Sequence, residues 1–280
     1  MISVNKKTPF FYSICLAVFI FLSINELTKV KKLTRFEAWN SCLWDELQLE
    51  KWKKAPKNET FSNSTAELLA KCSLILPLSP IKLSNSKLHI FLENLTVESV
   101  HVSIGIENGG EAEEQLKELL PNTDIFATNI HQNGQNSSSR DIGTVLPLAI
   151  GFESGLVESA DLGLDVDEFI AKIDIIYFLR NILKRDFFDS IWISLKTSEF
   201  PIMRVVEKFN QSGITACQIN FKVEMSTKND EEFREFFLEL VANRQYAMFV
   251  EPMDEGLGVL LVNLGSSKCQ ELQEPRQNNV

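Results

Sequence analysis

From Glu98 onward the chain alternates short apolar runs with amphipathic stretches, the pattern of strand-helix-strand units on a mostly parallel sheet. SVHVSIGI (99–106) predicts a first strand and ENGG a tight turn. EAEEQLKELL (111–120) predicts a helix, with acidic residues in its first turn and Pro121 just beyond it. DIFATNI (124–130) and GTVLPLAIGF (143–152) predict the second and third strands, separated by a polar loop rich in Asn, Gln and Ser. In FIAKIDIIYFLRNILKR (169–185), Ile173, Ile176, Tyr177 and Leu179 recur at helical spacing, which predicts a helix entered through Asp165-Val-Asp167-Glu168. SIWISL (190–195) is the fourth strand, FPIMRVVEKF (200–209) the next helix and ITACQINFKVE (214–224) the fifth strand. DEEFREFFLELVANR (230–244) predicts a last helix, followed by two closing strands, YAMFVEP and GVLLVNL. Phe187, Phe188, Phe233, Phe236 and Phe237 have buried or helix-like spacing, so core packing is the better explanation of them than a stacking platform.

The first part of the chain has a different character. Pro9 to Ile24, PFFYSICLAVFIFLSI, is uncharged and apolar, and as a helix at ~1.5 Å per residue it would span roughly 24 Å. A cleaved secretory signal and an uncleaved signal anchor in a thin early-secretory membrane both fit; no small-x-small cleavage site follows Leu22, which favours the anchor. Lysines flank the segment on both sides, so charge leaves its orientation open. Sequons break the tie, because Asn58, Asn63, Asn94, Asn136 and Asn210 each begin an N-x-[ST] triplet without proline. The expected layout is a short cytosolic tail and signal anchor (1–26), a stem and lead-in (27–85) with a helix at Ala66 to Cys72, one folded domain (86–272) and a disordered tail (273–280). The localisation that follows is a single-pass membrane protein facing the lumen of the secretory pathway.

With 280 residues and 44% hydrophobic positions the chain can bury one sizeable core. A formal net charge of -10 leaves no broad basic surface for phosphates, so nucleic acid is not an expected partner. Cys15 lies in the apolar segment, leaving Cys42, Cys72, Cys217 and Cys269, an even number in an oxidising compartment. Three pairings are open; Cys42 with Cys72 and Cys217 with Cys269 would join segments that lie near one another in this layout. The same cysteines could equally be small buried hydrophobes. His89, His101 and His131 are too scattered to predict a metal site.

SIGIENGGEAEEQLKELLPNTDIFATN, KIDIIYFLRNILKRDFFDSIWISLKTSEFPIM and ACQINFKVE with the closing LVNLGSSKCQEL resemble the FkbM-type methyltransferase family, in its divergent animal branch with an amino-terminal membrane segment. The resemblance covers roughly residues 98 to 272. It implies an α/β class I methyltransferase (Rossmann-like) fold, with a mostly parallel sheet and helices on both faces. It also implies S-adenosylmethionine at the carboxyl ends of the central strands, and methyl transfer to an oxygen of a small or sugar substrate.

Such a site needs a glycine turn after the first strand, an acidic residue ending the second to accept both ribose hydroxyls, and a polar group at the fourth facing the methyl donor. The family turn resembles G-x-G followed by His-Asp; here Gly105 is kept and Glu107, Asn108 and Gly109 follow. The family aspartate of the second strand corresponds to Asn129, which offers one acceptor oxygen instead of two. Where the family reads W-I-D-I-E-G, this chain has Trp192, Ile193, Ser194, Leu195, Lys196 and Thr197. By resemblance, Gly105, Glu107, Asn108, Asn129 and Ser194 line the cofactor cleft, and no catalytic residue is assigned. The expectation is a methyltransferase with eroded cofactor motifs. Its alternative is a non-catalytic lumenal glycoprotein binding a small molecule, a glycan or a partner protein. Asp165 and Asp167 match the D-x-D of glycosyltransferases, but helix capping accounts for them better.

Overall fold

The computed structural model describes residues 37–46, 61–76, 78–84, 87–91, 98–106, 108–129, 142–158, 169–195, 202–224, 227–253 and 256–272. The apolar segment at 9–24, Asp165 and Asp167 and the tail 273–280 lie outside them. No described helix is long and apolar enough to cross a membrane.

Helix α1 spans 37–46 and α2 Phe61–Ser73; the short strands β1 (Ile81–Lys82) and β2 (Leu88–His89) form an antiparallel hairpin. Then come β3 (Ser99–Ile104), α3 (Glu111–Leu119), β4 (Thr123–Thr128), β5 (Thr144–Leu146), β6 (Ala149–Gly151), β7 (Gly155–Glu158) and β8 (Phe169–Asp174). A short helix α4 (Ile175–Tyr177) runs on into a π turn (Phe178–Ile182). The chain closes with β9 (Phe187–Ile193), α5 (Ile202–Gln211), β10 (Thr215–Glu224), α6 (Thr227–Asn243), β11 (Tyr246–Met253), β12 (Gly256–Asn263) and α7 (Ser267–Leu272).

Seven strands make the central sheet in the order β11-β12-β10-β9-β3-β4-β5. β5, β4, β3, β9 and β10 are parallel neighbours, while β12 is antiparallel to both β10 and β11. Parallel central strands are covered on both faces, which is why they are apolar over most of their length. Val102, Ile104, Ile191, Ile193, Ile219 and Phe221 share one core with Val205 and Phe209 of α5 and with Phe233 and Phe237 of α6. With the alternation of a strand, His101 and Ser103 fall on the opposite face, in register with Ser190 and Trp192. There α3 and the β1-β2 hairpin provide the cover, through Ala112, Leu116 and Leu83 around Trp192. Gln218 of β10 clasps the hairpin segment at both polar atoms of Ile90, each at 2.8 Å, and Asn220 donates to the Leu88 carbonyl at 2.9 Å.

Three expectations are corrected. Residues 27–85 are expected to form a stem and lead-in outside the folded domain, yet within them Trp39 and Leu43 of α1 and Leu68, Leu69 and Cys72 of α2 are buried in the main core. Their i, i+3 and i+4 spacing is an apolar face that needs a partner, and β11 and α6 provide one for α2. The single strand expected over 143–152 is two strands in different sheets, because Pro147 has no N–H for a ladder and Leu148 N turns back onto the Leu146 carbonyl at 2.9 Å. The helix expected over 169–185 begins as strand β8, the middle of a separate three-stranded sheet ordered β6-β8-β7. Asp174 ends that strand, and its carboxylate accepts from Ile176 N at 2.8 Å and Tyr177 N at 3.0 Å, starting the helix only there.

Candidate functional site

Ligands of open α/β sheets bind beyond the carboxyl ends of the strands, where the order reverses. Here that point lies between β3 and β9. Gly105 leaves β3 with φ +78°, a left-handed conformation that favours glycine, and a Cβ there would stand 2.7 Å from the Ser194 carbonyl oxygen. The two strand ends are also tied by Ser194 N donating to Ile104 O at 2.8 Å. On the other side Gly105 N donates to Thr128 Oγ1 at 3.1 Å and Ile106 N to the Thr128 carbonyl at 3.0 Å, while Asn129 N donates to Leu146 O at 3.1 Å. Gly109 and Gly110, at φ 74° and 94°, then turn the chain into α3, which starts without a capping side chain.

Among the expected cleft residues, Gly105, Asn129 and Ser194 come together at three neighbouring strand ends. Asn108 belongs to the 3-10 turn Asn108–Gly110, and Glu107 lies outside the described residues. At the described ends of β4 and β9 the side chains are Thr128, Asn129, Ser194 and Leu195, all neutral. Among the described residues no group of His, Cys, Asp or Glu could hold a metal ion.

The remaining sequence-stated positions are dispersed. Asn63 lies in the first turn of α2, and Asn58, Asn94 and Asn136 fall outside the described residues. Asn210 is exposed at the end of α5, its amide donating to Gln245 Oε1 at 3.0 Å and its oxygen accepting from Gln245 Nε2 at 3.3 Å. Disulfides join Cys42 to Cys72 and Cys217 to Cys269.

Sequence reasoning missed a polar cluster directly behind the glycine turn. Lys87, His89, His101, Ser103, Glu113, Ser190 and Trp192 are all buried. Lys87 Nζ is 2.8 Å from Glu113 Oε1, which also accepts from Ser103 Oγ at 2.5 Å, and the ammonium sits 4.8 Å from the centroid of the Trp192 ring. His101 Nδ1 meets Ser190 Oγ at 2.5 Å, and its ring packs edge-on to Trp192 at 4.2 Å. Burial lowers the His89 imidazole to about 4. His101 is held well below its usual range, first by burial and then by the repulsion it would meet on protonation, from a protonated His89 and from Lys87. Both rings are therefore neutral at pH 7. The alternation of His101 and Ser103 with valines in SVHVSI was the available signal; nothing local marked Lys87.

The sheet order defines the class. Numbering its seven strands along the chain gives 3-2-1-4-5-7-6 with the seventh antiparallel, which differs from the 3-2-1-4-5-6 of a dinucleotide-binding domain. This is a methyltransferase-like α/β fold with a mostly parallel central sheet. No family model matches the chain, and no curated protein matches it. Among solved structures it is similar to methyltransferase FkbM from Methylobacillus flagellatus KT, with 9% identity over 59% of this chain and 44% of that one, at a TM-score of 0.39. It is also similar to human methyltransferase-like protein 13 in complex with SAH, with 14% identity, 66% and 87% coverage and a TM-score of 0.35. A third is precorrin-6y C5,15-methyltransferase from Geobacter metallireducens GS-15, with 11% identity, 62% and 85% coverage and a TM-score of 0.32. The chain spans less than half the length of the FkbM chain. At such values the fold assignment rests on strand order and register.

Proposed function

We propose that this protein is a membrane-anchored, lumenal glycoprotein on the FkbM-type methyltransferase fold, whose cleft at the carboxyl edge of the sheet binds a small molecule or glycan without catalysing methyl transfer. The carrying observation is that neutral side chains stand at the described ends of β4 and β9, where a ribose diol and a methyl donor would need acceptors. Each charged hydrogen bond lost removes ~1.5 to 3 kcal/mol. Losing one at the ribose, where Asn129 keeps a single acceptor oxygen, would weaken S-adenosylmethionine binding roughly ten- to a hundred-fold, and a second such loss at Ser194 would multiply that. A second reading, an active S-adenosylmethionine-dependent O-methyltransferase, is favoured by Gly105, whose left-handed backbone is what a close cofactor approach requires. The glycosyltransferase reading rests on Asp165 and Asp167 alone.

Calorimetric titration with S-adenosylmethionine separates the first two readings. The binding-protein reading expects no heat at millimolar cofactor, and recovery of binding in the Asn129→Asp, Ser194→Asp variant. Saturable binding below about 0.1 mM by the unaltered chain, with transfer of labelled methyl to an acceptor, would establish the enzyme instead. For the lumenal placement, protein made in a secretory cell should migrate faster after enzymatic glycan removal; an unshifted band counts against it.

A further inference from the structure

We propose that Lys87 is a positioning residue for the cleft: from a segment outside the nucleotide-type fold it fixes both the glycine turn and the end of β9. The inference rests on the carboxyl edge being the cleft. Two consecutive glycines at positive φ and the absence of a side-chain cap leave the start of α3 weakly determined by its own sequence. What holds it is Glu113, the third residue of the helix, whose carboxylate is turned inward. Oε1 takes the Lys87 ammonium and the Ser103 hydroxyl. Oε2 has no hydrogen-bond partner among the described residues and lies 3.8 Å from where a Gly110 Cβ would be, so the carboxylate sits directly against the turn.

The same ammonium stands on the Trp192 ring, and Trp192 precedes by two residues the Ser194 carbonyl that packs on Gly105. One cation thus bears on the two walls of the cleft. Lys87 is itself held firmly: its carbonyl accepts from Leu83 N at 2.8 Å, Ser84 N donates to Gln115 Oε1 of α3 at 2.8 Å, and Gln218 and Asn220 clasp the strand that follows. Global stability does not demand this arrangement, since well-packed apolar replacements of buried ion pairs are often as stable. An apolar pair would lack the direction that a charged hydrogen bond imposes on the first turn of α3.

Amide hydrogen exchange of the full chain tests this without any ligand, so its result is independent of whether S-adenosylmethionine binds. In the Lys87→Met, Glu113→Gln variant, which removes both charges at similar volume, amides of residues 105–116 should exchange at least tenfold faster. The slowest amides of β10 and β12 should change less than threefold. A proportionate acceleration of both sets would make the pair merely structural and overturn the proposal, as would an unchanged turn. Should the double variant not fold, Ser103→Ala, which removes only one hydroxyl from the carboxylate, is expected to accelerate the same turn about threefold under the same two criteria.

Discussion

His89 and His101 both pack edge-on to the Trp192 ring, at centroid distances of 6.2 and 4.2 Å, in a buried setting that favours their neutral forms. A histidine whose folded pKa is depressed contributes stability that is complete above its unfolded value near 6.5 and is lost as pH falls, because the unfolded chain then binds the proton and the folded one does not. For His89, lowered to about 4, the loss runs from pH 6.5 down to about 4 and amounts to about 2 kcal/mol by pH 5. Asp189, whose carboxyl is raised by burial, acts in the opposite sense. The urea midpoint should therefore fall between pH 7 and pH 5, and His89→Phe should flatten that dependence; equal slopes for both proteins would refute it. At this scale the sequence showed which strand ends are neutral, since Asn129 and Ser194 are legible as letters. It did not show that Lys87 faces Glu113, because 26 residues separate them and only the hairpin brings them together.

Elements were legible where one pattern acted alone. The runs of β3, β4, β9 and β10 are apolar between turn residues and lie within two or three residues of their expected bounds. The stretch from Phe169 carries a helical spacing only from Ile173 onward, and Asp174 starts the helix there by capping α4, a role that also recruits Lys208, which bonds to Asp174 Oδ2 and the Phe152 carbonyl. Contacts between elements set the rest. The β1-β2 hairpin has little core of its own, and its seat on the sheet depends on the Gln218 amide satisfying both polar groups of Ile90. Gln218→Leu keeps the volume and leaves a buried N–H and C=O unpaired, at ~1 to 3 kcal/mol each. Denaturant unfolding should show a loss of roughly 2 to 6 kcal/mol, with the 87–91 amides the first to lose exchange protection; a variant as stable as the parent would show that the clasp is dispensable.

At the scale of the whole molecule, the Cys42–Cys72 and Cys217–Cys269 disulfides close loops at sequence separations of 30 and 52, one joining α1 to α2 and one tying α7 to the central strand β10. In the chain-entropy account each contributes about 3 to 4 kcal/mol. Replacing Cys217 and Cys269 by Ala should lower the melting temperature and leave the Cys42–Cys72 link intact by mass spectrometry; an unchanged melting temperature would mean that packing alone holds α7. The sequence by itself determined the alternation of strands and helices, the extra closing strands and the neutral residues at the ends of β4 and β9, because period and residue type are local properties. Only the tertiary structure decided that α1 and α2 pack into the core, that β6, β7 and β8 form a separate small sheet and that a buried cation backs the glycine turn. Those outcomes depend on which surfaces meet, and burial converts an ordinary lysine or glutamine, unremarkable in the chain, into a group whose hydrogen bonds fix the position of its neighbours.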